Sequence, residues 1–121
     1  MREIKTKANR PAPPDDLDGE ALLEWDRICG DLDAAGRLDK TDRSIITLYC
    51  HRWAIYQAAM QHVVKFGPVV KHHNGVAGES PHYGVSRQEA TQLRRLLADM
   101  GLTPTLRGMR ASEADAGELE I

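Results

Sequence analysis

One segment constrains this chain more than any other. Ile46, Tyr49, Trp53, Tyr56, Met60 and Val63 follow one another at alternating steps of three and four, which sets them along one side of an α-helix. A second apolar row, Ile45, Leu48, Ile55, Ala59 and Phe66, lies beside the first. Asp39 or Thr41 can cap the start of this helix, and Gly67-Pro68 stops it. At its pitch the element is about 40 Å long. Two adjacent rows are wider than the apolar stripe of an ordinary surface helix. One short partner helix cannot cover both, so the surplus predicts burial against other subunits. Ile46, Tyr49, Trp53, Tyr56, Met60 and Val63 are therefore the expected oligomer interface.

The flanking segments are simpler. Leu22, Trp25, Cys29 and Leu32 mark one face of a first helix over residues 18–35. Asp16, Asp18 and Glu20 crowd its start, where the macrodipole favours acids, and Gly36 is its natural C-cap. After the long helix, residues 69–77 have the pattern of a β-hairpin turned by Asn74-Gly75, the favoured type I′ pair. A third helix presents Ala90, Leu93, Leu97 and Met100 inward, with Leu96 beside them, and ends at Gly101. Its start is either Ser80-Pro81, a cap and first helical residue, or the capping box Ser86-Arg87-Gln88-Glu89. Thr103-Pro104 then opens a short final helix or turn. The expected class is all-α: a helical hairpin with a long central helix, a small β-hairpin or extended link, and a third helix.

Charge divides the 121 residues into blocks. Residues 1–10 carry Arg2, Lys5, Lys7 and Arg10 against Glu3. Residues 15–42 hold ten acids against Arg27, Arg37 and Lys40. Residues 87–110 turn basic, with Arg87, Arg94, Arg95, Arg107 and Arg110 against Glu89 and Asp99. Residues 111–121 hold four acids and no base. The net charge of −2 argues against a simple glove for nucleic acid. The alternation instead gives a polarised molecule, one region facing phosphate and another facing a basic partner. The expected organisation is a flexible basic and proline-rich arm at 1–14, a helical oligomerisation and DNA-binding domain at 15–110, and a disordered acidic tail at 111–121. No apolar run approaches the roughly 20 residues of a membrane helix, and Met1-Arg2-Glu3-Ile4-Lys5 has no signal-peptide character. The expected compartment is a cytoplasm, with Cys29 and Cys50 as free thiols.

Few motifs carry chemistry. No G-x-x-x-x-G-K-[ST] phosphate loop occurs, which argues against an intrinsic ATPase, and no G-x-S-x-G nucleophile elbow occurs. His72, His73 and His82 flank the hairpin, and His73-Asn74 gives local support to a metal nuclease of the His-Asn-His class. The turn explains Asn74 better, and Glu79 is the only acid between the second and third helices. No metal or other cofactor is expected, and no catalytic residue. The link between the first two helices could be a DNA-reading helix-turn-helix, but the long helix is too apolar to read a groove and the first is acidic. Phosphate candidates lie instead on the third helix: Arg87 and Arg94 share a face and Arg95 adjoins them. Arg107 and Arg110 extend the patch, and the arm adds Lys5, Lys7 and Arg10.

Taken in order, these features resemble the small terminase subunits of cohesive-end tailed phages and their prophages. The similar pieces are the proline arm at residues 10–14; Trp25, Leu32, Gly36-Arg37-Leu38 and Asp42; and Leu48-Tyr49-Cys50, Trp53-Ala54-Ile55-Tyr56, Ala59 and Gly67. Leu93-Arg94-Arg95-Leu96-Leu97, Met100-Gly101-Leu102-Thr103-Pro104 and Arg107 complete the pattern. The Gly-Leu-Thr-Pro-x-x-Arg ending is its most specific part. Ser80-Pro81-His82 departs from the Asn-Pro usual in such proteins. The resemblance implies a non-catalytic, helical, ring-forming oligomer, commonly a nonamer, working in the host cytoplasm. It implies binding to double-stranded viral DNA near the packaging start. It also implies docking to, and regulation of, the large terminase subunit, the ATPase and nuclease. Arg94, Arg95 and Arg107 are the basic residues it matches. Two other readings stay open: a small dimeric helix-turn-helix regulator, and the His-Asn-His nuclease.

Overall fold

The computed structural model describes residues 10–104. The expectations for Lys5, Lys7, Arg107, Arg110, the turn after Pro104 and the acidic tail lie outside the described residues.

Helix α1 runs Gly19–Ala34, close to the predicted bounds. Of the expected face it buries Trp25, Cys29 and Leu32, but Leu22 is 38% exposed; the buried face is centred instead on Ala21, Glu24, Trp25, Ile28, Cys29 and Leu32. Gly36 donates to the Asp33 carbonyl at 3.0 Å and Arg37 to the Leu32 carbonyl at 2.8 Å, the paired bonds of a Schellman stop. A single 3-10 turn, Lys40–Asp42, follows. Its cap is Asp39, whose side chain accepts from the Thr41 amide at 2.9 Å and the Thr41 hydroxyl at 3.0 Å. Those two bonds, the backbone one first, hold the Asp39 carboxyl below its ordinary range. Helix α2, Arg43–Phe66, continues directly from this turn and ends where Gly67 donates to the Val63 carbonyl at 2.7 Å.

Strands β1 (Val69–Lys71) and β2 (Ala77–Glu79) pair antiparallel, with Val69 opposite Glu79 and Lys71 opposite Ala77. The turn differs from the expected two-residue type I′. That register, with His72 donating to the Val76 carbonyl at 3.0 Å, closes a loop over residues 73–75. Gly75 donates back to the His72 carbonyl at 2.9 Å and takes φ +83°, whereas Asn74 stays at negative φ. Asn74 instead accepts from the Val76 amide through its side chain at 3.1 Å. The glycine thus supplies the one left-handed residue that a three-residue hairpin loop needs.

Helix α3, Pro81–Asp99, begins at Ser80-Pro81: Ser80 Oγ accepts from the His82 amide at 3.2 Å. The alternative start is overturned, because Ser86 is buried inside the helix and its hydroxyl bonds the Tyr83 carbonyl at 2.7 Å. A second Schellman stop closes α3, with Gly101 donating to Ala98 and Leu102 to Leu97, both at 2.9 Å.

α3 returns along α2. His82 stacks on His62 with ring centroids 3.7 Å apart, Arg52 pairs with Glu89 at 2.9 Å, and Leu93 and Met100 join Ile46 in the core. α1 lies across the amino-terminal half of α2, so the main core forms where three helices meet. Leu17, Ala21, Trp25, Ile28, Cys29 and Leu32 pack there on Ile46, Tyr49, Cys50, Leu93 and Met100. Part of the row expected at an oligomer interface is therefore covered within the protomer. Ile46, Tyr49 and Val63 are 0%, 1% and 8% exposed inside the protomer itself. The reason is that α2 has two partner helices, α1 on its first half and α3 along its length. Trp53, with the Arg27 guanidinium of α1 5.8 Å from its ring centroid, and Tyr56 and Met60 remain half-buried. The surplus apolar surface lies instead in the second row and at the end of the helix, at Leu48, Ile55, Val64 and Phe66.

Candidate nucleic-acid interface

The site begins with Leu93, which is buried against the core. On a helix, the next two residues turn through about 100° and 200° from it, so Arg94 and Arg95 emerge on the outer side of α3. Both are exposed. They rim a shallow surface hollow with Thr91, Ala98 and Thr103. Among the described residues neither arginine forms an ion pair. Each therefore offers a fork of N–H donors that no acid engages among the described residues, the geometry that suits phosphate oxygens.

The other sequence candidates are placed differently. Arg87 lies on α3 two turns before Arg94, roughly 10 Å along the axis. Its guanidinium is engaged by the Glu79 carboxylate and sits 5.3 Å from the Tyr83 ring centroid. Arg10 approaches Asp26 at 3.6 Å. Of the candidates within the described residues, then, Arg94 and Arg95 come together with free charge, while Arg87 and Arg10 are tied to acids.

Several side chains that chemistry might use are occupied by structure. Glu24 is 3% exposed. It accepts from the Tyr49 hydroxyl at 2.6 Å and from Arg27 Nε at 2.7 Å. Burial first, then the bond to Glu24, pushes the Tyr49 hydroxyl well above the ordinary tyrosine range. Its hydrogen bond to Glu24, outweighing desolvation, holds Arg27 firmly charged. Burial raises the Cys29 thiol to about 11 and the Cys50 thiol to about 12, so both stay protonated and poorly nucleophilic. The histidines singled out for a metal point to different places. The His72 ring lies over Gly78, where an added Cβ would meet Nε2 at 2.5 Å. His73 sits in the exposed hairpin loop, and His82 is stacked on His62, itself 4.6 Å from Phe66. Among the described residues no group of three or more His, Cys, Asp or Glu is placed to hold a metal ion.

Three features were missed from sequence. The Arg52–Glu89 pair joins residues 37 positions apart, and the Glu24–Tyr49 bond at the centre of the Glu24–Tyr49–Arg27 network joins residues 25 apart, both beyond any local periodicity. The third joins two parts of the recognised pattern. The Arg37 guanidinium covers Gly101 so closely that a Cβ there would meet it at 2.6 Å. Gly36-Arg37-Leu38 and Met100-Gly101-Leu102 are thus two sides of one contact.

With that contact in place, the comparison with known families is decisive. A family model described as phage terminase, small subunit, matches residues 21–116. The chain belongs to that family. In this terminase small subunit the match covers α1 from Ala21 onward and all of α2 and α3, including Arg37, Arg94, Arg95 and the Gly101 stop. Terminase small subunits are generally non-catalytic. Comparison with curated proteins and with solved structures gives no match. No helix among the described residues is long and apolar enough to cross a membrane.

Proposed function

We propose that this terminase small subunit is a non-catalytic, self-assembling scaffold that binds double-stranded viral DNA in the host cytoplasm and regulates the large terminase subunit during packaging. The Arg94–Arg95 pair on α3, exposed and without an ion pair among the described residues, is the observation that carries the DNA-binding part. Lys5, Lys7, Arg107 and Arg110 are proposed to add to it, with Arg87 and Arg10 contributing once they leave their acidic partners. One such pair is a modest contact, but a ring repeats it around a belt, and each phosphate neutralised steepens the salt dependence of binding by about one unit. Assembly is supported by the apolar surface left on α2 at Leu48 and Ile55, which are 56% and 47% exposed. Half-buried Trp53, Tyr56 and Met60 are proposed to be completed by a neighbouring copy.

The decisive experiment is binding of duplex DNA spanning a packaging start, followed by fluorescence anisotropy over a salt series. The double substitution Arg94→Ala, Arg95→Ala is expected to weaken binding at least about tenfold and to flatten the log–log salt slope by about two per protomer in contact. Unchanged affinity and slope would place the DNA contact elsewhere. A stable monomer at micromolar concentration by light scattering would end the scaffold reading.

A further inference from the structure

We infer that the hairpin end of one protomer docks head to tail on the outer face of α1 of a second copy. This inference rests on the self-assembly reading above and adds a second contact to the apolar surface of α2.

The charge blocks become a spatial polarity once the chain is folded. α1 and the acidic residues 15–42 cover the amino-terminal half of α2, and the hairpin stands at its other end. Between residues 43 and 88 the only acid is Glu79, and Arg87 engages it. Lys65 and Lys71 form no ion pair among the described residues. Around them Val64, Phe66, Val69 and Val76 are 78%, 57%, 61% and 61% exposed. Apolar side chains gain nothing against a phosphate backbone, so this end suits a protein surface. The two lysines require that surface to be acidic.

The same chain offers such a surface. Leu23, Asp26, Gly30 and Asp33 follow at steps of three, four and three along the solvent side of α1, opposite its buried face, and all four are exposed. Leu23 is 67% exposed. Gly30 lies in the helix interior, where glycine is a poorer choice than alanine. An added Cβ there would meet nothing within 4 Å, so packing inside the protomer does not require its absence. A bare backbone between an apolar residue and two carboxylates lets another surface approach closely. Arg10 approaches Asp26 at 3.6 Å within the protomer and a lysine from the second copy would compete with it, while Asp33 forms no ion pair among the described residues. Because the two surfaces lie on different parts of the molecule, the contact is heterologous, the type that propagates from copy to copy and closes into a ring when the rotation allows.

The test uses the full chain, with light scattering and sedimentation velocity at micromolar concentration and far-UV circular dichroism as the folding control. Lys65→Glu with Lys71→Glu, and separately Asp26→Lys with Asp33→Lys, are each expected to raise the dissociation concentration at least tenfold, moving the mass toward the 13.5 kDa protomer. Combining all four reversals is expected to restore assembly. Gly30→Gln, a helix-compatible filler, is expected to weaken assembly with helix content unchanged. If the natural chain assembles but neither reversal shifts its mass, the docking contact is wrong and the scaffold reading survives. If the natural chain is itself a monomer, both fall. Full assembly of the lysine variant with loss of duplex DNA retention would assign the hairpin end to DNA and overturn the inference.

Discussion

Tyr49 carries a polar group into the junction of α1 and α2, where its hydroxyl donates to a carboxylate that is itself buried. Removing the donor while leaving the acceptor is the costly case, because Glu24 would lose one of its partners without regaining water. Tyr49→Phe is expected to destabilise the protomer by about 1–3 kcal/mol. In urea this would appear as a lower midpoint at unchanged slope; an unmoved midpoint would show that Arg27 alone satisfies the carboxylate. The two cysteines make a second prediction. Burial raises both thiols, Cys29 to about 11 and Cys50 to about 12, so the fold disfavours their thiolates. A raised folded value means their contribution is complete below the unfolded thiol range near pH 8.5 and is lost as pH climbs toward those values. Iodoacetamide at about pH 8 should leave both unlabelled until denaturant is added, and the unfolding midpoint should fall across the alkaline range. Rapid labelling of the native chain would contradict the packing. Leu22, placed on the inner face of α1, is exposed and Ala21 and Ile28 are buried in its stead, but the burial of Trp25, Cys29 and Leu32 was legible in the spacing of that helix. The partnership of Glu24 with Tyr49 was not, since the two lie on different helices and nothing in their local patterns distinguishes a buried glutamate from a solvated one.

Among the elements, the stops were easier to foresee than the turn. Gly36, Gly67 and Gly101 end their helices where the apolar periodicity runs out. Gly101 has a second duty, because its φ of +73° disfavours a side chain and the Arg37 guanidinium above it would have to shift to admit one. Gly101→Ala is expected to cost about 1–2 kcal/mol from the left-handed backbone alone, with the displaced Arg37 adding to it. Thermal unfolding would register the loss, and an unchanged Tm would mean that the α3 stop relaxes freely. The hairpin was foreseen as a hairpin, but its loop was placed one residue wrong. Asn-Gly suits a two-residue turn by local conformation, yet pairing of Val69 with Glu79 and Lys71 with Ala77 demands an odd loop. Long-range register outweighed local preference. At the α3 start the two capping signals competed, and Ser80-Pro81 prevailed because Ser86 is needed in the face packed on α2.

For the whole molecule, the separation of charge along α2 has a consequence for assembly. If lysines at the hairpin end meet carboxylates on α1 of the next copy, their attraction reaches about 10 Å at 0.1 M salt and about 3 Å at 1 M. Raising salt across that range is expected to shift light-scattering mass toward smaller species at fixed protein concentration. A mass that holds or grows would assign assembly to the apolar rows of α2 instead, Leu48 and Ile55 first. The same salt series bears on DNA, since an Arg94–Arg95 contact weakens by counterion release in proportion to the phosphates engaged.

Periodicity by itself determined the three helices, the bounds of α1 to within one residue, and most of the residues able to face a core, because those depend on neighbours three and four positions away; it left the start of α3 open between Ser80-Pro81 and Ser86. The order of its motifs also pointed to the terminase small-subunit family. Only the tertiary structure decided which apolar residues were spare. The rule that one short helix cannot cover two rows was sound, but α3 supplied a second cover, so Ile46, Tyr49 and Val63 went inside the protomer while Leu48, Ile55, Val64 and Phe66 stayed out. It likewise decided which arginines keep free charge, since an ion pair such as Arg87 with Glu79 or Arg52 with Glu89 depends on where separate elements meet. Spacing along a helix gives each side chain a direction, and packing alone gives it a partner.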